Sequence, residues 1–231
     1  MKAKMIADLR RDFPSAILVG VMAVVMQERR RRAGQPDNFP IENPEQVLAQ
    51  FLQDCTRSQL RLVREMAKGA GLEGFVFYTY WFNRHRLLEK PLELFLADKS
   101  LEFSFCAMWA NENWTRRWDG MEHEVLIAQQ YLESDDEALA AHFARMFADA
   151  RYIRIEGRPL LFIYRAALVP GARARIGKWR AMFRELHGEE PLLVMAQSLG
   201  EDYDPRPYGL DGAVEFPPHK ISQAAPHIED G

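Results

Sequence analysis

Cysteine is scarce. Cys55 and Cys106 are the two in 231 residues, and they stand far apart. No disulfide framework or thiolate metal site can be built from them, and a reducing, cytoplasmic setting is the matching expectation. There is also no excess of one charge. Thirty Lys and Arg against 33 Asp and Glu leave a net −3, without the basic field that nucleic-acid binders present. A spanning helix needs ~20 apolar residues. The run Ile17 to Met26 is about half that and leads into Arg29-Arg30-Arg31-Arg32, not into the small residues of a signal-peptide cleavage site. A buried strand or short core helix with a basic tail is expected there, a membrane-surface role being the alternative. No glycine-rich phosphate loop and no His/Cys ligand spacing occur, so neither a cofactor nor a metal is expected.

What is present is an ordinary globular composition, 48% apolar and 27% charged, in a chain long enough for one self-sufficient core. Residues 1–42 form a poorly readable N-terminal segment; the organised region is 43–231. Asn43, Pro44 and Gln46 read as a helix start, with a break near Thr56 to Ser58. The stripe Leu60, Val63, Met66, Ala67 then runs to Gly69 and Gly71. Gly74 to Phe82 is a strand by its aromatic and β-branched content. A short helix over Pro91 to Lys99 and a strand over Phe103 to Trp109 follow. Ser134 to Glu137 reads as a capping box opening a helix with Leu139, Phe143, Met146 and Phe147 inward. Strands at Pro159 to Tyr164, Leu192 to Ala196 and Gly212 to Phe216, with a helix over Ala172 to Leu186, complete the pattern.

Strand and helix alternate, which predicts an α/β fold with a parallel sheet. Side chains suited to function sit at strand ends: Tyr80 and Trp81, Asn111 and Glu112, Tyr164 and Arg165, Gln197 and Ser198, Glu215 and His219. That is the pattern of a (β/α)8 TIM-barrel-like fold, whose site lies at the C-terminal ends of the strands. A doubly wound sheet is the alternative. Five to six parallel strands are too few to close eight, so an incomplete barrel, a piece of a longer protein, is expected.

The densest polar and aromatic cluster is Cys106-Ala-Met-Trp-Ala-Asn-Glu-Asn-Trp-Thr-Arg-Arg-Trp-Asp-Gly120, which holds three of the five tryptophans. A carboxylate between two amides, with flat indoles beside it, suits a hydroxyl-rich ligand such as a sugar.

Four segments carry a family resemblance. They are Phe77-Tyr-Thr-Tyr-Trp-Phe-Asn-Arg-His-Arg-Leu-Leu-Glu-Lys-Pro91, Trp109-Ala-Asn-Glu-Asn-Trp-Thr-Arg-Arg-Trp-Asp-Gly120, Arg158-Pro-Leu-Leu-Phe-Ile-Tyr-Arg165 and Ala213-Val-Glu-Phe-Pro-Pro-His219. Together they resemble the WbsX-type glycosyltransferase family, also described as glycoside hydrolase family 99-like, over residues 58–220. The resemblance implies a (β/α)8 barrel and a carbohydrate-active enzyme of lipopolysaccharide O-antigen assembly, with an oligosaccharide or polysaccharide substrate. The Pro-, His-, Trp- and Glu-rich loop that follows the family's first strand has no counterpart in residues 1–57. In family 99 hydrolases a second acid closely follows the first; here Thr115 stands three beyond Glu112.

Glycosyl transfer usually needs two carboxylates flanking the bond. Glu112 is the expected acid/base, with partial desolvation raising its pKa. Asp119, Glu124 and Glu215 are the candidate partners, Glu215 preferred because it too ends a strand. Tyr80, Trp81, Asn83, Asn111, Asn113, Trp114, Arg117, Trp118 and His219 are the expected sugar contacts. Trp109 and Trp179 read as core. Asp202-Tyr-Asp204 fits a nucleotide-sugar metal motif formally but reads as turn chemistry. A glycan-binding module without chemistry is the rival reading.

Overall fold

The computed structural model describes residues 56–116, 121–197 and 204–215. The Ile17–Met26 run, the tetra-arginine tail and the helix start at Asn43 lie outside them. Helix α1 (Arg57–Gly69) begins where the sequence suggested a break. Thr56 Oγ1 accepts from Gln59 N–H and the Gln59 side chain accepts from Thr56 N–H, a complete capping box.

Strand β1 (Gly74–Phe82) turns into β2 (His85–Leu87), then α2 (Lys90–Ala97) leads to β3 (Ser104–Trp109). A hairpin of β4 (Trp114–Arg116) and β5 (Met121–Ile127) precedes α3 (Asp136–Phe147). Strands β6 (Arg154–Ile155) and β7 (Arg158–Ile163), helix α4 (Ala172–His187), β8 (Leu192–Gln197) and β9 (Gly212–Glu215) follow.

The main sheet runs β2-β1-β3-β7-β8-β9. The steps β1–β3, β3–β7, β7–β8 and β8–β9 are all parallel. Each new parallel strand adds to the same side of the last. A doubly wound sheet would reverse direction at a switch point; this order does not, and is that of an arc of a (β/α) barrel.

Helix placement agrees. Phe75, Phe77 and Phe105 meet Phe95 of α2 through ring contacts of 5.2–6.1 Å. Trp109 packs edge-on to Trp179 of α4 at 5.3 Å. Leu161, Ile163 and Leu193 face α3 and α4 around a void of about 10 Å³. Helices α2, α3 and α4 therefore cover one face of the sheet, the outside of a barrel. Burying each of these large side chains contributes roughly 1.5–3 kcal/mol. The opposite face carries Tyr78 in register with Met108, Phe162, Val194 and Gly212. Strand β1 alternates buried and half-buried residues, so Val76, Tyr78 and Tyr80 present themselves on that second face. Gly74 permits the pairing at its foot: a Cβ there would sit 2.8 Å from the Ser104 carbonyl oxygen.

Three local features differ from the sequence reading. The β1–β2 turn uses Asn83 (φ 47°) and Arg84 (φ 69°), both left-handed, with no glycine to signal it. The Ser134–Glu137 capping box does not form; a 3₁₀ turn over Glu133–Asp135 precedes α3, and no side chain caps it. The acids there have tertiary partners instead: Asp135 accepts from the Trp81 indole and Asp136 from Arg175. Finally, Trp114–Arg116 and Met121–Ile127 pair as antiparallel strands, elements the sequence reading did not include. No helix among the described residues is long and apolar enough to cross a membrane.

Candidate active site

Strand β3 ends at Trp109, whose carbonyl accepts from Tyr164 N–H at 3.0 Å. Two residues later the ladder is continued by a side chain. Asn111, fully buried, donates from Nδ2 to the Arg165 carbonyl at 2.8 Å and accepts at Oδ1 from Arg165 N–H at 2.8 Å. It thus fastens the end of β3 to the end of β7. Tyr131 completes the frame: its hydroxyl donates to the Asn111 carbonyl at 2.6 Å and accepts from Asn111 Nδ2 at 3.1 Å. Arg175 on α4 holds the loop carrying Tyr131 through the Tyr131 and Leu132 carbonyls, at 2.7 and 2.8 Å. Asn111 is therefore a framing residue with its amide occupied by protein, not an amide open to hydroxyls.

That frame sets the next residue, Glu112, on the second face of the sheet. Its carboxylate is 32% exposed, and Arg165 Nη1 stands 3.6 Å from Oε2, with the Arg165 side chain 18% exposed. The Arg165 cation is thus beside Glu112. Around them lie phenols. Tyr78 stacks on Tyr80 at 6.4 Å and meets Tyr164 edge-on at 6.1 Å, while Tyr80 meets Trp114 edge-on at 4.9 Å. Burial pushes the Tyr80 phenol well above its usual range, and the charges of Glu112 and Tyr164 push it further. Tyr78 is raised by burial and then by Tyr164, Tyr80 and Glu112. Tyr131 is pushed up to about 12, chiefly by burial, against hydrogen bonding from Asn111 and the charges of Arg165 and Arg175. At neutral pH all three phenols are therefore protonated; the Tyr131 O–H is committed to the Asn111 carbonyl, and Tyr78 and Tyr80 are the neutral phenols set beside the carboxylate.

The other expected site residues are distributed differently. Trp81 belongs to the helix-covered face. It is 7% exposed, its indole N–H donates to Asp135 Oδ2 at 2.6 Å, and its ring lies 4.8 Å from that of His142. It packs the core and offers no sugar platform. Asn83 occupies the β1–β2 turn and donates to Gln130 Oε1 at 3.1 Å. Asn113 accepts from Gln129 N–H at 2.7 Å, tying the base of the β4–β5 hairpin. Glu215 ends β9 exposed and in register with Gln197. Two residues earlier Met195 pairs with Ile163, which lines the α3–α4 side, so alternation assigns Glu215 to the face opposite Glu112. Arg117, Trp118 and His219 lie outside the described residues. In the Asp202–Asp204 segment, Asp204 accepts from Arg206 N–H at 3.0 Å, an Asx-type turn contact. An open cleft lined by Lys68, Lys99, Glu102, Ser104 and Arg151 sits at the other end of the strands, away from Glu112.

Tyr78, Tyr131 and Arg165 are site neighbours that sequence reasoning did not name among the sugar contacts. For Tyr78 the signal was present: it shares alternation with Tyr80. Arg165 was visible as a strand-end residue. Tyr131 carried no signal, since its role depends on the tertiary return of its loop.

Known proteins bear on this geometry. The chain is 44% identical over 166 residues to the protein WxcX of two strains of Xanthomonas campestris pv. campestris, itself described as uncharacterized. That alignment covers 72% of the chain and 23% of WxcX, so the chain spans about a quarter of those relatives. A solved structure described as a glycoside hydrolase-like protein superposes with a TM-score of 0.50 at 15% identity, covering 70% of the chain and 51% of that structure. This likeness concerns the fold. The model of the glycosyltransferase WbsX family matches residues 48–230, and the chain belongs to that family.

Proposed function

We propose that the chain is the barrel portion of a carbohydrate-active enzyme that transfers or hydrolyses glycosyl units of a bacterial surface polysaccharide of the O-antigen kind. Glu112 is its acid/base group. Tyr80 and Trp114 form the aromatic wall against which a sugar ring rests, and the neutral phenols of Tyr78 and Tyr80 donate to its hydroxyls. The observation that carries this reading is the placement of Glu112. It sits half-exposed at the C-terminal end of a parallel strand, on a tyrosine-lined face, with the backbone beneath it locked by Asn111 and Tyr131. The site end of a (β/α) barrel is this end.

The test is Glu112→Gln with a panel of α- and β-linked oligosaccharides and nucleotide sugars, read by mass spectrometry. Turnover is expected to fall by roughly 10²–10⁴-fold, the usual share of general acid–base catalysis, while saccharide binding persists. Undiminished turnover contradicts the assignment.

One observation favours a second reading. Glu215, the preferred second carboxylate, falls on the opposite face by register. A glycan-binding module that holds sugars without cleaving them fits that arrangement. Saccharide affinity by calorimetry with no product after long incubation selects it.

A further inference from the structure

Among the described residues, two half-buried arginines keep a buried Nε without a partner, Arg64 and Arg165, but Arg64 still donates through Nη2 to Glu65, and the other enclosed arginines are well supplied with acceptors. Arg151, 12% exposed at its side chain, donates from Nε to Asp149, from Nη1 to the Asp98 and Leu101 carbonyls, and from Nη2 to Phe95 and Asp149. Arg175, 10% exposed, uses Nε on Asp136 and both terminal nitrogens on carbonyls. Arg180, 14% exposed, bonds Glu190, Asp211 and the Gly209 carbonyl. Arg165 is similarly enclosed, at 18%, yet its guanidinium makes no hydrogen bond among the described residues. Its Nε is buried and without a partner, and its one ion pair among the described residues, to Glu112 through Nη1, is 3.6 Å long.

A buried guanidinium normally satisfies its donors, because each desolvated N–H left without an acceptor costs about 1–3 kcal/mol. The Nη1 side of Arg165 is turned to Glu112. The Nε–Nη2 edge remains, and two parallel N–H groups on that edge match the two oxygens of a carboxylate or phosphate. Sugar hydroxyls are poorer complements: each offers one oxygen, without charge.

We infer that Arg165 is the specificity residue for an oxyanion carried by the saccharide, so that the ligand of this site is an acidic sugar, bearing a carboxylate or a phosphate, and not a neutral one. This rests on the reading of Glu112 and its surroundings as a glycan site. Nε is closed to solvent before binding, so the anion docks first at Nη2, and a small turn of the guanidinium brings Nε to it while Nη1 stays on the Glu112 side. The guanidinium then both selects the substrate and keeps the ligand's charge at a fixed distance from the acid/base carboxylate.

The test follows the Arg165 Nε–H resonance by NMR, assigned by its loss in Arg165→Lys, during titration with glucose, glucuronate and glucose 6-phosphate. One of the two anions is expected to shift it saturably at a concentration about tenfold or more below that of glucose, the weight of a charge-assisted bond over a neutral one. Which anion does so separates carboxylate from phosphate recognition. Arg165→Lys keeps the charge but loses the fork, and is expected to lower the anion preference by about tenfold with its melting temperature little changed. If all three probes act at the same concentration, or the preference survives in Arg165→Lys, the inference is overturned. If no probe moves Arg165 while glucose changes Trp114 fluorescence, the inference is overturned and the glycan site stands. If neither signal responds to any probe, both fall.

Discussion

At the N-terminal ends of β7, β8 and β9, Arg158 and Arg180 converge on Asp211, which also accepts from Leu193 N–H at 2.8 Å, while Arg180 and Arg184 hold Glu190. At the C-terminal ends of the same sheet, Arg165 and Glu112 stand 3.6 Å apart, and the Arg165 guanidinium has no hydrogen bond among the described residues. Both regions pair arginine with carboxylate on strand ends. The first closes every gap and ties three strands together, as a stabilising lattice should. The second keeps donors unmatched and its carboxylate partly open, which is what binding and catalysis require.

Stability measurements sharpen that contrast. Asp211→Ala leaves two arginines facing each other and frees the Leu193 amide, so about 3 kcal/mol or more is expected to be lost in denaturant unfolding. Arg165→Met, removing a guanidinium that makes no hydrogen bond among the described residues, is expected to cost less than about 1 kcal/mol. Equal losses would erase the distinction between the two ends.

Next in size is a pH effect between the two ends. His142, packed at a tilt against Trp81 and beside Phe143, has its pKa lowered to about 4, by burial first and then by the charges of Arg145 and Arg86, with Glu93 opposing. The folded value lies below the unfolded one near 6.5. Its stability contribution is therefore complete above pH 6.5 and is lost as pH falls toward 4, by an amount on the order of 3 kcal/mol. His142→Phe is expected to flatten that part of the unfolding profile.

Smaller still is the frame of the site. Asn111→Ala removes three side-chain hydrogen bonds within the interior and is expected to cost about 2 kcal/mol. Its second effect is more telling. Hydrogen exchange at the Arg165 amide, which donates to Asn111 Oδ1, should accelerate while the Leu193 amide at the other end stays protected.

How much of this was readable beforehand follows from the kind of signal each feature leaves. The main parallel strands and the helices between them were legible, because apolar runs, Pro91 near the start of α2 and left-handed Gly188 at the end of α4 are local marks. So was Glu112, which sits in a segment of unusual composition. The β1–β2 turn was not, because Asn83 and Arg84 adopt left-handed backbone without glycine. Trp81 and Asn111 looked like ligand contacts because both lie beside polar residues at a strand end. Only the alternation of the folded strand and the return of the Tyr131–Asp135 loop turn them inward. Glu215 shows the same limit: a strand end is visible in sequence, but the face it serves depends on register with its neighbour.

The most direct test of the central claim is to map a bound saccharide. Chemical-shift perturbation with an oligosaccharide that binds should concentrate at Tyr80, Trp114 and Arg165, leaving Arg158, Arg180 and the cleft at Lys68, Lys99 and Arg151 unmoved. Perturbation centred on that opposite cleft, with Tyr80 and Trp114 silent, would contradict the account.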